Sequence, residues 1–228
     1  MNNVDFSTYK FRCSELGLLM VNPRSKKEKL SKTTMSALDD IYIREVWGRD
    51  KDISSKYLDK GNYTEEDSID LLYKKYGKLF IKNKEHLSND FITGTPDIID
   101  DEIYDLKSSW DIWTFRASDG SNKDYFWQGL GYMWLTKRLK FRLAYCLNDT
   151  PEHLVVGEQK RAVYGAGQDP ESIEGMETME KVEKNLIFKD IPWEKRIKVF
   201  EYDFNADLVE QLKTRIMDAR EYLNTVEL

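Results

Sequence analysis

Histidine and cysteine are scarce in this sequence: His86 and His153, Cys13 and Cys146, in 228 residues. Zinc centres built from several histidines or four cysteines are therefore excluded, and so is a disulfide framework. Two reduced cysteines fit a cytosolic protein. No run approaches the about 18 apolar residues of a membrane span. The first sixteen residues, MNNVDFSTYKFRCSEL, carry charge where a signal peptide needs an apolar core. Internal repeats, low-complexity linkers and Pro/Gly-rich boundaries are also missing, so residues 1–228 are expected to form a single domain.

What the chain does have is aromatic bulk, 10 Phe, 13 Tyr and 6 Trp, which argues against disorder. Its 41 acids exceed its 35 Lys and Arg, for a net charge of −6. That balance speaks against nucleic acid as a partner. Locally the sign reverses, because Arg24, Lys26, Lys27, Lys29 and Lys32 are interrupted only by Glu28 among charged residues. Such a run is either a solvated loop or a phosphate-contacting segment.

Ser14 is a candidate cap for a short helix from Glu15 to Met20, and helical spacing covers Ser36 to Trp47. Thr64 is followed by acids in a first turn, then by Ile69, Leu72, Tyr76 and Phe80 on one stripe, with Gly77 to end the helix. The period then shortens. Phe91–Thr95, Pro96–Ile99 and Ile103–Lys107 read as a three-strand meander with a turn at Asp100–Glu102. Tyr125–Leu135 is helical, Phe141–Leu147 and Ile197–Phe204 are strands, Pro151–Lys189 is mostly helical, and a last helix runs from Asn205 or Asp207 to about Tyr222. The order implies an α/β or α+β fold with a mixed central sheet flanked by helices.

The chemistry concentrates in Thr95–Lys107. With the hairpin tip at Asp101, Ile99 faces Ile103 and Asp97 lies opposite Asp105, about 5 Å apart at the β-carbons. Two such carboxylates repel, and a divalent cation between them removes the conflict. Hard oxygen ligands favour Mg²⁺ or Mn²⁺. Lys107 points to the same face, where it can hold water or stabilise charge on a phosphate. The same residues could instead be a surface hairpin with an Asp–Lys pair. A third carboxylate is available in Glu65, on the apolar stripe of the Thr64 helix, or in Glu66 beside it. Gln128 and Tyr132 share a helix face one turn apart, where the amide could hold water or a phosphate oxygen, or simply meet solvent.

In order and spacing these residues resemble the PD-(D/E)XK nuclease superfamily, in particular the branch of RecB nuclease domains and phage-type exonucleases such as lambda exonuclease. The likeness covers about Phe11 to Leu147. It rests on Phe11-Arg12-Cys13-Ser14, on Gly61-Asn62-Tyr63-Thr64-Glu65-Glu66 and on Gly94-Thr95-Pro96-Asp97. Asp105-Leu106-Lys107 and Gln128-Gly129-Leu130-Gly131-Tyr132 complete it.

The resemblance implies a restriction-endonuclease-like core and a Mg²⁺-dependent DNA exonuclease for recombination or repair, with Mn²⁺ as substitute metal. Asp97, Asp105, the Leu106 carbonyl and a helix Glu would hold the metal. Glu65 is preferred for its place four residues after Gly61, with Glu66 as the alternative. Lys107 would be the catalytic lysine, with Gln128 beside it. Arg12, Ser14, Tyr132, Trp110, Trp113 and Arg116 would meet DNA. The acid-x-Lys motif carries Asp, as in RecB-like sequences, but two cysteines cannot hold the iron–sulfur cluster of some relatives. A single-strand annealing or recombination protein and a second copy of the chain are the partners implied. A restriction-like or structure-specific endonuclease and a catalytically silent DNA-binding module are the competing readings.

Overall fold

Short apolar runs alternate with longer amphipathic ones, and in the computed structural model they become two small mixed sheets wrapped by helices. Residues 4–51 and 55–226 are described. In chain order the elements are β1 (Phe11–Arg12), α1 (Leu16–Leu19), α2 (Lys32–Trp47), α3 (Lys56–Tyr63), α4 (Glu65–Tyr76), β2 (Leu87–Ser88), β3 (Ile92–Gly94) and β4 (Ile98–Ile99). There follow β5 (Ile103–Ser108), α5 (Ile112–Ala117), α6 (Lys123–Thr136), β6 (Lys140–Cys146), α7 (Glu152–Gly165), α8 (Ile173–Leu186), β7 (Ile197–Asp203) and α9 (Ala206–Leu223).

The larger sheet has the order β4-β5-β6-β7, with β5 and β6 parallel and the outer pairs antiparallel. β6 is buried on both faces, as Phe141, Leu143, Ala144, Tyr145 and Cys146 require of an inner strand. The smaller sheet pairs β1 parallel and β2 antiparallel to β3. The expected mixed sheet is thus present but divided, and the meander is corrected: β3 leaves the hairpin and pairs with β1 and β2 instead. The alternation of β4 and β5 separates two cores. Ile98 and Tyr104 pack with Leu71 and Leu72 of α4, while Ile103 joins Leu130, Met133, Phe141 and Leu143 on the α6 side.

Close approach of α6 to the sheet depends on glycine. A β-carbon on Gly129 would lie 2.2 Å from the ring of Phe141, and one on Gly131 would lie 2.6 Å from Leu16. Gly129→Ala is expected to lower stability by about 1–3 kcal/mol, because a fully buried ring must move. Urea unfolding measures it; an unchanged midpoint would show that the helix can lift without cost.

Three local expectations change. Helix α2 starts at Lys32, not Ser36, because Ser31 Oγ accepts the Thr34 N–H at 3.0 Å. Ser14 is not a cap but sits inside a 3-10 turn, Cys13–Glu15, where the Glu15 carboxylate accepts the Arg12 N–H at 2.9 Å. Helix α3 runs through Gly61 and leaves Tyr57, Leu58 and Tyr63 exposed, so no buried apolar stripe announces it. It is nonetheless capped by Ser55 and carries the fully buried Lys60. Near the carboxyl end, buried Arg220 of α9 donates to the carbonyls of Tyr9 and Asp90, tying that helix to the segments around β1 and β3. Among the described residues no helix is long and apolar enough to cross a membrane.

Candidate active site

The turn at Asp100–Glu102 fixes the hairpin register, Ile98 with Tyr104 and Ile99 with Ile103. Asp97 and Asp105 therefore face one another, as the sequence predicts. Asp97 Oδ2 accepts the Leu106 N–H at 2.6 Å. Asp105 is 2% exposed. Its Oδ1 lies 3.4 Å from Gln128 Nε2, and its Oδ2 forms an ion pair with Lys107 Nζ at 2.6 Å. The Lys107 ammonium is thus the countercharge of the buried Oδ2.

Electrostatics follow from this crowding. Burial, then the charge of Asp105, push the Asp97 carboxyl up to about 7, against the Leu106 N–H and Lys107, which favour ionisation. Burial works against the Lys107 ammonium, but the Asp105 and Asp97 carboxylates outweigh it and hold its pKa above the ordinary value. The ammonium also lies 4.8 Å from the centre of the Tyr125 ring.

Gln128 and Tyr132 are buried, and the reading of either as a solvent- or DNA-facing group is corrected. Gln128 Nε2 donates to the Tyr132 hydroxyl at 2.9 Å and faces Asp105, so the pair orients a carboxylate from behind. Tyr132 packs where a β-carbon on Gly94 would be, 2.9 Å from that point, with Cys13 Sγ at 3.0 Å. The Cys13–Glu15 turn is thereby held against the strand that leads to Asp97, leaving Arg12 and Ser14 exposed at its surface.

Glu65 opens α4 and is half-buried, with Glu66 exposed beside it. The N-terminus of α4 is braced from below: Thr64 Oγ1 lies 2.9 Å from Ser108 Oγ, and Asn148 Nδ2 donates to Ser68 Oγ at 2.7 Å. Glu65 is near enough for its charge to act on Asp97, and it forms an ion pair with Lys82, a residue no sequence motif signalled. Trp110 is half-buried against Tyr57, ring centres 5.4 Å apart, with Lys56 Nζ 4.5 Å from its ring. Trp113 and Arg116 are exposed on α5. The basic run is an exposed loop from Arg24 to Lys29, with Lys29 paired to Glu221 at 2.7 Å, and its last member, Lys32, opens α2. A cavity of about 600 Å³ between α4, α7 and α8 is lined by Thr64, Asp149 and Gln159, and by none of the hairpin acids.

Among the described residues no three His, Cys, Asp or Glu side chains are gathered closely enough to grip a metal as placed. Lysines hold Glu65 and Asp105, and Asp97 is turned to an amide. The donor set nevertheless fits a hard divalent cation. Its donors are carboxylate oxygens, and Asp97 resists ionising beside Asp105 until positive charge arrives.

An Asp–Asp–Lys constellation on such a hairpin, with Asp105 buried and Gln-x-x-x-Tyr behind it on the adjoining helix, is the arrangement expected of a PD-(D/E)XK-type nuclease site. No protein-family model and no curated protein match the sequence. Among solved structures the chain is similar to a phage-related exonuclease from Haemophilus somnus 129PT, with 27% identity over 95% of this chain and 94% of that one, at a TM-score of 0.78. It also shares the fold of an alkaline exonuclease from Laribacter hongkongensis, at 10% identity, 95% and 89% coverage and a TM-score of 0.60. The same enzyme in complex with dAMP aligns at 12% identity, 94% and 87% coverage and a TM-score of 0.60. In motifs and fold the chain thus resembles phage-type exonucleases of the PD-(D/E)XK kind.

Proposed function

We propose that the chain degrades DNA from strand ends by Mg²⁺-dependent hydrolysis, serving phage-type recombination or repair in the cytoplasm, the host's if phage-encoded. The observation that carries the reading is half-buried Asp97 facing buried Asp105, with Lys107 at 2.6 Å from Asp105, on a chain similar over its length to a phage-related exonuclease. Glu65, Asp97, Asp105 and the Leu106 carbonyl would hold the cation, with Glu66 in reserve. When bound, it supplies Lewis-acid activation of water and of the phosphodiester.

The protein's own groups do the rest. Asp105 is kept in place by Gln128, and Gln128 by Tyr132, so the carboxylate does not reorganise as charge develops. Lys107, pinned between Asp105 and the Tyr125 ring, presents an ammonium for a water or a phosphate oxygen. Arg12, Ser14, Trp113 and Arg116 are exposed and free to meet DNA; Trp110 is tied to Tyr57 and Lys56 and would act by supporting that surface. A single-strand annealing or recombination protein and a second copy of the chain are the proposed partners.

Linear duplex DNA should be consumed with Mg²⁺ and spared with EDTA, while closed circular DNA stays intact. Nicking of the circle would mark an endonuclease. No cleavage, together with no Mn²⁺ binding by calorimetry, would mark a silent binding module.

A further inference from the structure

Lys82 is fixed beside the site by its backbone. It makes an isolated antiparallel bridge to Ile98, and the next residue, Asn83, donates its N–H to the Asp97 carbonyl at 2.7 Å and its side-chain amide to the Pro96 carbonyl at 3.0 Å. The segment thus runs along the β4 edge and brings the Lys82 side chain to Glu65, its ion-pair partner. The Lys82 side chain is 47% exposed against 21% for Glu65, so the ammonium can swing outward while the carboxylate stays.

Charge counting gives this arrangement a use. With all three ionised, Glu65, Asp97 and Asp105 face two ammoniums, Lys82 and Lys107, leaving one negative charge in excess. A divalent cation reverses the excess to one positive charge, which matches one phosphodiester. For the cation to use the Glu65 oxygen, Lys82 must let it go. A released Lys82 then stands as an exposed ammonium on the same edge, its stem still anchored next to Asp97.

We propose that Lys82 is a further active-site residue that competes with the metal for Glu65 and, once displaced, binds a non-bridging oxygen of the DNA backbone. This rests on the nuclease reading of the site. Lys82→Gln tests it in the full chain with two measurements that need no turnover. Calorimetry with Mn²⁺ and no DNA should show affinity about threefold to tenfold tighter than wild type, because a competing cation is gone. Binding to a duplex with hydrolysis-resistant phosphorothioate ends, in Mn²⁺, should weaken several-fold, with a salt dependence shallower by about one phosphate contact. Lys82→Arg should restore the salt slope. In a Glu65→Gln background the effect of Lys82→Gln on Mn²⁺ affinity should vanish. Unchanged metal affinity or an unchanged salt slope overturns the proposal. Wild type that binds neither Mn²⁺ nor DNA would instead overturn the nuclease reading.

Discussion

Lys107→Ala is expected to reduce the rate of linear-duplex digestion about a thousandfold in Mg²⁺, with the loss in kcat. The lysine is anchored to Asp105 at 2.6 Å, whereas Lys82 stands at the β4 edge beside Glu65 and does not reach its place. Its removal has a second effect. Asp105, 2% exposed, is left buried without its countercharge, so the metal-free protein should lose about 1–3 kcal/mol of stability. Circular dichroism and denaturant unfolding separate the two effects. Should the variant remain folded and digest DNA at the wild-type rate, the role given to Lys107 is wrong.

Asp97→Asn is expected to abolish digestion and yet to stabilise the metal-free protein. The asparagine oxygen can still accept the Leu106 N–H, while the repulsion with Asp105 disappears. The pH dependence gives the sign. Burial and Asp105 raise the folded-state pKa of Asp97 to about 7, above the ordinary 3.8, so between those values the folded wild type binds more protons than the unfolded chain. Stability contributed by the protonated form is full below about pH 4 and is lost as pH rises through about 7. The variant should therefore melt higher than wild type at pH 8, by about 2 kcal/mol, and show little advantage at pH 4. Mg²⁺ should raise the melting temperature of wild type at pH 8 and leave that of Asp97→Asn where it was. A variant less stable than wild type at pH 8 would contradict the like-charge account.

The hairpin was legible because it obeys a rule of two: a strand alternates faces, and one acidic turn sets the register that opposes Asp97 and Asp105. The Thr64 helix and α6 were legible from an apolar stripe in one and an aromatic run in the other, despite Gly129 and Gly131; Thr64 itself turns its hydroxyl to the Lys60 carbonyl and Ser108 and does not cap its helix. What escaped is what neighbours decide. Tyr132 looks amphipathic along its helix, and it is buried by tertiary packing, with Gly94 of another element close against its ring. β3 has the apolar run of a meander strand, yet pairing with β1, some 80 residues earlier, takes it elsewhere. Lys82 carries no motif; its place comes from a bridge to Ile98 and two hydrogen bonds made by Asn83.

The contact between Asp97 Oδ2 and the Leu106 N–H has a counterpart on the other side of the same peptide row. Extended two residues past Ile98 and Tyr104, the register would set Leu106 against position 96. A strand residue sends its N–H and C=O to the same side, so Leu106 turns its carbonyl toward that position too. The residue there is proline, which has no proton to give, and the chain bends at Asp97. The ladder is thus missing a rung on purpose of its chemistry: the amide is answered by a side chain, and the oxygen is left without a backbone suitor. Pro96, silent in every charge count, is a residue with no N–H to offer the Leu106 carbonyl beside the two aspartates.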